Sequence, residues 1–261
     1  MRKKPKMKVL TTFAFLLFTF YVLKPVSGET NTQIQKILNT KPDSNKVKQL
    51  SDLCWNYRFK SADSALLFGQ QALLLARQLN FRKGIAQAYN DIAIIYIDKA
   101  NFRSAINYLN EAMKIRQQLN DSVGIAALYN KLGIIAQKQG RLKDALQNQI
   151  DALKLYQGLK LDKYIGYCLN NIAIIHQNLG NYQKALEYHH QALEYRIRLK
   201  DQEGEATTYG NMANLYARLH DTIQAINNYE KAILLSRQLK KEELISANLS
   251  NIGNIYMARK N

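Results

Sequence analysis

From about residue 44 onward, apolar residues recur at helical spacing. In one stretch Tyr89, Ile92, Ala93 and Tyr96 stand at i, i+3, i+4 and i+7, one face of a helix predicted from about Gly84 to Asp98. A break follows at Ala100-Asn101, and Ala105, Leu109, Ala112 and Ile115 then mark the inward face of a second helix that ends near Leu119. This pair returns every forty residues: Asn90, Asn130 and Asn170 share one register with Gly210 and Ser250, and Ala105, Ala145, Ala185 and Ala225 share another. Ala72, Ala112, Ala152, Ala192 and Ala232 form a third row. The spacing predicts five complete helix pairs at about 44–80, 84–120, 124–160, 164–200 and 204–240, followed by one unpaired helix from about 244 to 259. That last helix keeps the interior pattern, so it reads either as an end cap or as the first half of a further pair. All three prolines (Pro5, Pro25, Pro42) precede the repeats, which leaves the rest of the chain free of the strongest helix breaker and makes it all-α.

The breaks and the small residues have steric roles. Gly140 and Gly180 stand just past helix ends, where a glycine takes the left-handed cap conformation without penalty. Ala93 or Gly133 on a first helix and Ala105 or Ala145 on the following one leave room for two backbones to cross closely. The first pair (Leu50, Leu53, Cys54, Tyr57, then Ala65) is one residue shorter between its helices, and His220 replaces the turn glycine of the fifth.

Ahead of the repeats, MRKKPKMK runs into the uncharged stretch Val9–Leu23, and Val26-Ser27-Gly28 places small residues before Glu29. These are the parts of a secretory signal, residues 1–28, followed by a short lead-in at 29–43. The alternative is an uncleaved anchor, but the fifteen residues of Val9–Leu23 reach only about 22 Å as a helix against a hydrocarbon core of roughly 30 Å. Exported to the periplasm or cell envelope, the chain would meet a membrane only if that segment stayed attached. The formal charge is +17; removing residues 1–28 takes away six of the 37 basic residues and none of the 20 acidic ones, leaving +11. The remaining basic residues are scattered singly or in twos, with no stripe that could track phosphates, so nucleic acid is not an expected partner. Cys54 and Cys168 both fall on first helices three repeats apart. Helix packing sets them roughly 25–30 Å from each other, beyond the ~7 Å of a disulfide, so two buried free thiols are expected.

Units with a large apolar residue, an Ile/Leu–Ala/Gly pair, a tyrosine, and two alanines seven apart on the next helix resemble tetratricopeptide repeats over residues 44–261. The forty-residue length is similar to LGN-type and kinesin-light-chain-type repeats and to the extracytoplasmic repeat regions of bacterial sensor kinases and regulators. The family's proline near the unit's end is absent. The resemblance implies a right-handed α-solenoid of stacked helix-turn-helix repeats whose first helices line a concave groove. On that face stand Asn90, Asn130, Asn170 and Asn171, continued by Asn211, Asn214, Asn251 and Asn254. A carboxamide carries donor and acceptor together and can hold a peptide backbone whatever its side chains. By resemblance to LGN-type first helices, Asn211 and Asn214 lead this list. The other reading of the row is mutual bonding between adjacent first helices that fixes their stacking. Lys131, Lys138 and Arg218 face the groove or plain solvent.

Nothing in the chain points to catalysis, a cofactor or a metal. His176 takes a packed tyrosine's place, His189-His190 point different ways, and no metal-binding spacing, phosphate loop or nucleophile elbow occurs. Trp55 and the tyrosines, Tyr129 and Tyr209 among them, read as packing residues. The expected function is a non-catalytic scaffold binding a peptide or protein segment, or else the sensory part of an envelope signal-transduction system such as a histidine kinase or transcription regulator. The partner and the oligomeric state are not written in the sequence.

Overall fold

A computed structural model describes residues 34–258. The expected leader, residues 1–28, lies outside the described residues. After a helical run at 34–38 come α1 (Ser44–Tyr57), α2 (Ala62–Gln78), α3 (Arg82–Asp98), α4 (Phe102–Gln118), α5 (Ser122–Lys138), α6 (Leu142–Gly158), α7 (Asp162–Asn178), α8 (Tyr182–Arg198), α9 (Gln202–Arg218), α10 (Thr222–Gln238) and α11 (Glu242–Ala258). From α2 onward every helix has 17 residues and starts twenty after the one before. The repeat is therefore more regular than the apolar pattern indicates, and first helices begin about two residues earlier than that pattern places them.

The regularity comes from the turns. Asn80, Ala100, Asn120, Gly140, Lys160, Gly180, Lys200, His220 and Lys240 all sit at positive φ, from +50° to +78°. At each, two backbone bonds close the helix end, as where Asn101 N–H donates to Tyr96 O (2.8 Å) and Ala100 N–H to Ile97 O (3.0 Å). Glycine is thus not required: seven side-chain-bearing residues adopt the left-handed conformation, at about 1–2 kcal/mol each, because the paired bonds satisfy carbonyls that would otherwise be orphaned. The turn at 58–61 contains no such residue, and the one residue it lacks is the left-handed one. Asp43, Asp121, Asp201 and Asp221 cap the starts of their helices through side-chain oxygens.

The chain divides into two compact units, Met1–Ile115 and Arg116–Asn261, with the boundary inside α4. In the first, Ile34, Val47, Leu50, Cys54, Ala65, Phe68 and Ala72 form a continuous core, and the Tyr57 ring meets Phe68 edge-on at 5.3 Å. Ile34 draws the 34–38 helical run into that core, and Lys46 Nζ ties it down by donating to Leu38 O and Thr40 O. In the second, Ala126, Ala152, Tyr156, Ile165, Cys168 and Ala192 pack together, with Tyr156 stacked on Tyr164 at 4.9 Å. Both cysteines are buried free thiols, and burial pushes each up to about 12.

Close crossing is borne out at the small residues. Ala105, Ala145, Ala185 and Ala225, with Ala72, Ala112, Ala152, Ala192 and Ala232, are all 0% exposed. A Cβ on Gly133 would lie 2.8 Å from Gln149 Nε2. Trp55 departs from expectation: it is 54% exposed, because its place on α1 faces away from α2. Its ring instead stacks under the Arg58 guanidinium at 4.3 Å, with Phe59 at 4.2 Å, while Arg58 also pairs with Asp98 at 3.2 Å. Tyr129 and Tyr209 are half-buried rather than full core members.

Candidate functional site

The asparagines of the second unit join in pairs across successive first helices. Asn171 Nδ2 on α7 donates to Asn130 Oδ1 on α5 at 3.0 Å, and Asn211 Nδ2 on α9 donates to Asn170 Oδ1 on α7 at 3.1 Å. Where Gly210 interrupts the row, the contact shifts one turn along α9: Asn251 Nδ2 on α11 donates to Asn214 Oδ1 at 3.2 Å, and the same oxygen accepts from Tyr229 OH at 2.5 Å. Six of the eight residues singled out in the sequence therefore form three rungs that tie neighbouring first helices together. Asn254 is exposed on α11. Asn90 lies in the first unit, buried, and donates to the neighbouring Asp91 Oδ1 at 3.2 Å, an acceptor it shares with Gln87 Nε2.

Each rung engages one oxygen and one amide nitrogen of its pair. The second amide nitrogen (Asn130, Asn170, Asn214) and the second oxygen (Asn171, Asn211, Asn251) remain as donor and acceptor. Around them runs a solvent-side stripe at i, i+4, i+7 and i+11: Tyr167, Asn171, Ile174 and Asn178 on α7, then Thr207, Asn211, Asn214 and Arg218 on α9. The same positions on α5 hold Ala127, Lys131, Ile134 and Lys138. No acidic residue stands in this stripe on α5, α7 or α9, whereas in the first unit α3 carries Asp91 and Asp98 there. Tyr167 and Thr207 escaped the sequence reading, although each stands four residues before a rung asparagine, one helical turn along the same face. Tyr229 escaped it as well; its row holds Leu109, Gln149 and His189 in the other repeats, so only its reach to Asn214 reveals a polar role.

The histidines are structural in placement. His176 is 7% exposed and stacks flat on Tyr188 at 5.4 Å; burial, then Lys184, lowers its affinity for a proton. His189 is 0% exposed with neither ring nitrogen hydrogen-bonded, and burial first, then Arg196 and His190, pushes it down to about 3. Arg196, 3% exposed, donates to Gly204 O and to Thr208 Oγ1, joining α8 to α9. Among the described residues no cluster of three or more His, Cys, Asp or Glu could hold a metal ion.

Solved structures similar to this chain share its helical-repeat fold. BtubC (BKLC) from P. vanneervenii is 22% identical, with 77% of this chain and 85% of that one aligned at a TM-score of 0.67. The Rap conjugation gene regulator of plasmid pLS20, solved in complex with the Phr* peptide, is 17% identical over 94% of this chain and 68% of its own, also at 0.67. Aspartyl phosphate phosphatase F from Bacillus subtilis is 14% identical over 85% and 62%, at 0.64. No curated protein matches the sequence. Two tetratricopeptide-repeat family models match, one over residues 124–194 and again over 164–238, the other over 85–122. Together these span more than half of the chain and coincide with the helix pairs and small-residue crossings described above, so the chain belongs to the tetratricopeptide-repeat family.

Proposed function

We propose that this protein is an exported, non-catalytic scaffold that holds an extended peptide or protein segment along the asparagine side of its first helices. The three carboxamide rungs carry the reading. Each keeps a donor and an acceptor beside one another, the complement of the C=O and N–H of a peptide unit, and each is ordered by its own internal bond. Less side-chain freedom is then lost when a ligand arrives. Lys131, Lys138 and Arg218 favour an acidic segment and speed its approach. The Rap regulator solved with its Phr* peptide supports peptide capture by a fold of this kind. Export rests on residues 1–28, and the absence of chemistry on the closed state of the reactive groups: His189 is sealed from solvent and both thiols are buried and protonated.

Peptide capture by a gene regulator also favours a second reading, in which the same face is the sensory part of an envelope signalling system. Both readings need the face itself. Thr207 is exposed and its hydroxyl only bonds back to Glu203 O, so Thr207→Arg blocks the stripe at little cost in stability. Pull-down from envelope extracts should lose the partner with Thr207→Arg and keep it with Gln191→Arg on α8. Retention by Thr207→Arg, with the fold intact by circular dichroism, rules out capture on this face.

A further inference from the structure

In complete pairs, the first-helix face turned toward its second helix is shut. Leu169, Ile172, Ala173 and His176 of α7 are 3%, 1%, 0% and 7% exposed. The corresponding residues of α11 are Leu249, Ile252, Gly253 and Tyr256. Ile252 packs back onto the Ala213–Tyr229 core, but Leu249 and Tyr256 are 48% and 50% exposed. A Cβ built on Gly253 meets nothing within 4 Å, whereas one on its counterpart Gly133 runs into Gln149 of the covering helix.

The chain displays what closes such a face. Each covering helix carries fully buried alanines at i and i+7, as at Ala145 and Ala152 or Ala225 and Ala232, around a residue at i+4 that faces the first helix's small position. A basic group at the covering helix's C-terminal end meets an acid at the start of the first helix: Arg198 reaches Asp162 at 2.7 Å, and Lys241 reaches Glu203 at 3.1 Å. In α11 the counterpart of Glu203 is Glu243, exposed.

We propose that the Leu249–Tyr256 face of α11 docks, from a partner protein, an amphipathic helix with small residues at i and i+7, a large residue at i+4 seated over Gly253, and a basic C-terminal end beside Glu243. The occupant follows from the interface the chain builds in each complete pair, continued by one helix, with matching charge. The surface is separate from the asparagine stripe.

A labelled synthetic peptide of residues 222–241, which carries this pattern and ends in Lys240-Lys241, is the probe; fluorescence anisotropy reads its binding to the full chain. Saturable binding is expected, weakened about tenfold or more by Gly253→Leu, since overfilling a close crossing costs about 1–3 kcal/mol. Open space at Gly253 lets the variant fold, which thermal melting verifies. Lys241→Glu in the peptide should weaken binding too, and Thr207→Arg, acting on the other face, should not. Absent binding, or binding indifferent to Gly253→Leu, overturns the proposal. So does a dimer of the chain that Gly253→Leu breaks, which assigns the face to a second copy, or a longer native polypeptide whose own next helix covers it.

Discussion

Residues at two kinds of position set the local terms of this fold. The first is the left-handed turn residue. Ala100 gains nothing from its methyl group and adopts φ +55° only because the turn's two backbone bonds demand it. Ala100→Gly should therefore stabilise the protein by about 1 kcal/mol, read as a higher urea midpoint at unchanged slope; an unchanged midpoint contradicts the cost assigned to that turn. The second is the buried histidine. His189 holds its proton less tightly in the folded chain, about 3, than its ordinary value of 6.5. The unfolded chain therefore binds the extra proton between those values, so stability is fully present above pH 6.5 and falls as the pH drops toward 3, by up to about 1.4 kcal/mol per pH unit. His189→Gln, the residue that Gln149 supplies one repeat earlier, should flatten the stability profile across that window. A profile equally steep in the variant assigns the acid sensitivity elsewhere.

Helices pair here through alanines, and this level was the most legible in sequence. The forty-residue register of Ala105 to Ala225 predicts every crossing that the structure shows at 0% exposure, because a close approach of two backbones admits only small side chains. Ala185→Leu should cost at least 1–3 kcal/mol, lowering the melting temperature, while the same change at exposed Gln191 should leave it nearly unmoved. Less legible were the helix ends. They depend on backbone bonds that Asn, Lys, His, Ala and Gly all serve, so no single residue type marks them. Trp55 was misread for a related reason: helical spacing places it outside the α1 apolar face, and a large aromatic side chain alone does not settle burial when a guanidinium offers a surface partner.

Across the molecule, the two compact units share one repeat but differ in the polar character of their first helices. α3 carries Asp91 and Asp98 where α5 carries Lys131 and Lys138. The asparagine row could be seen in sequence; its partition into rungs could not. Which carboxamide bonds which depends on the offset between neighbouring helices. The shift on α9 from the row's own register, where Gly210 has no carboxamide to offer, to Asn214 appears only in three dimensions. The rungs stiffen the stacking and also leave donors and acceptors toward solvent, so bonding between helices and peptide capture are compatible roles. Site-specific photo-crosslinking in the native envelope tests the central claim most directly, with a benzophenone amino acid placed at Thr207 beside the rungs or at Gln191 on the opposite helix layer. A partner polypeptide crosslinked from position 207 and absent from position 191 is the expected result. Crosslinking from 191 alone, or from neither position, would contradict capture along the asparagine face.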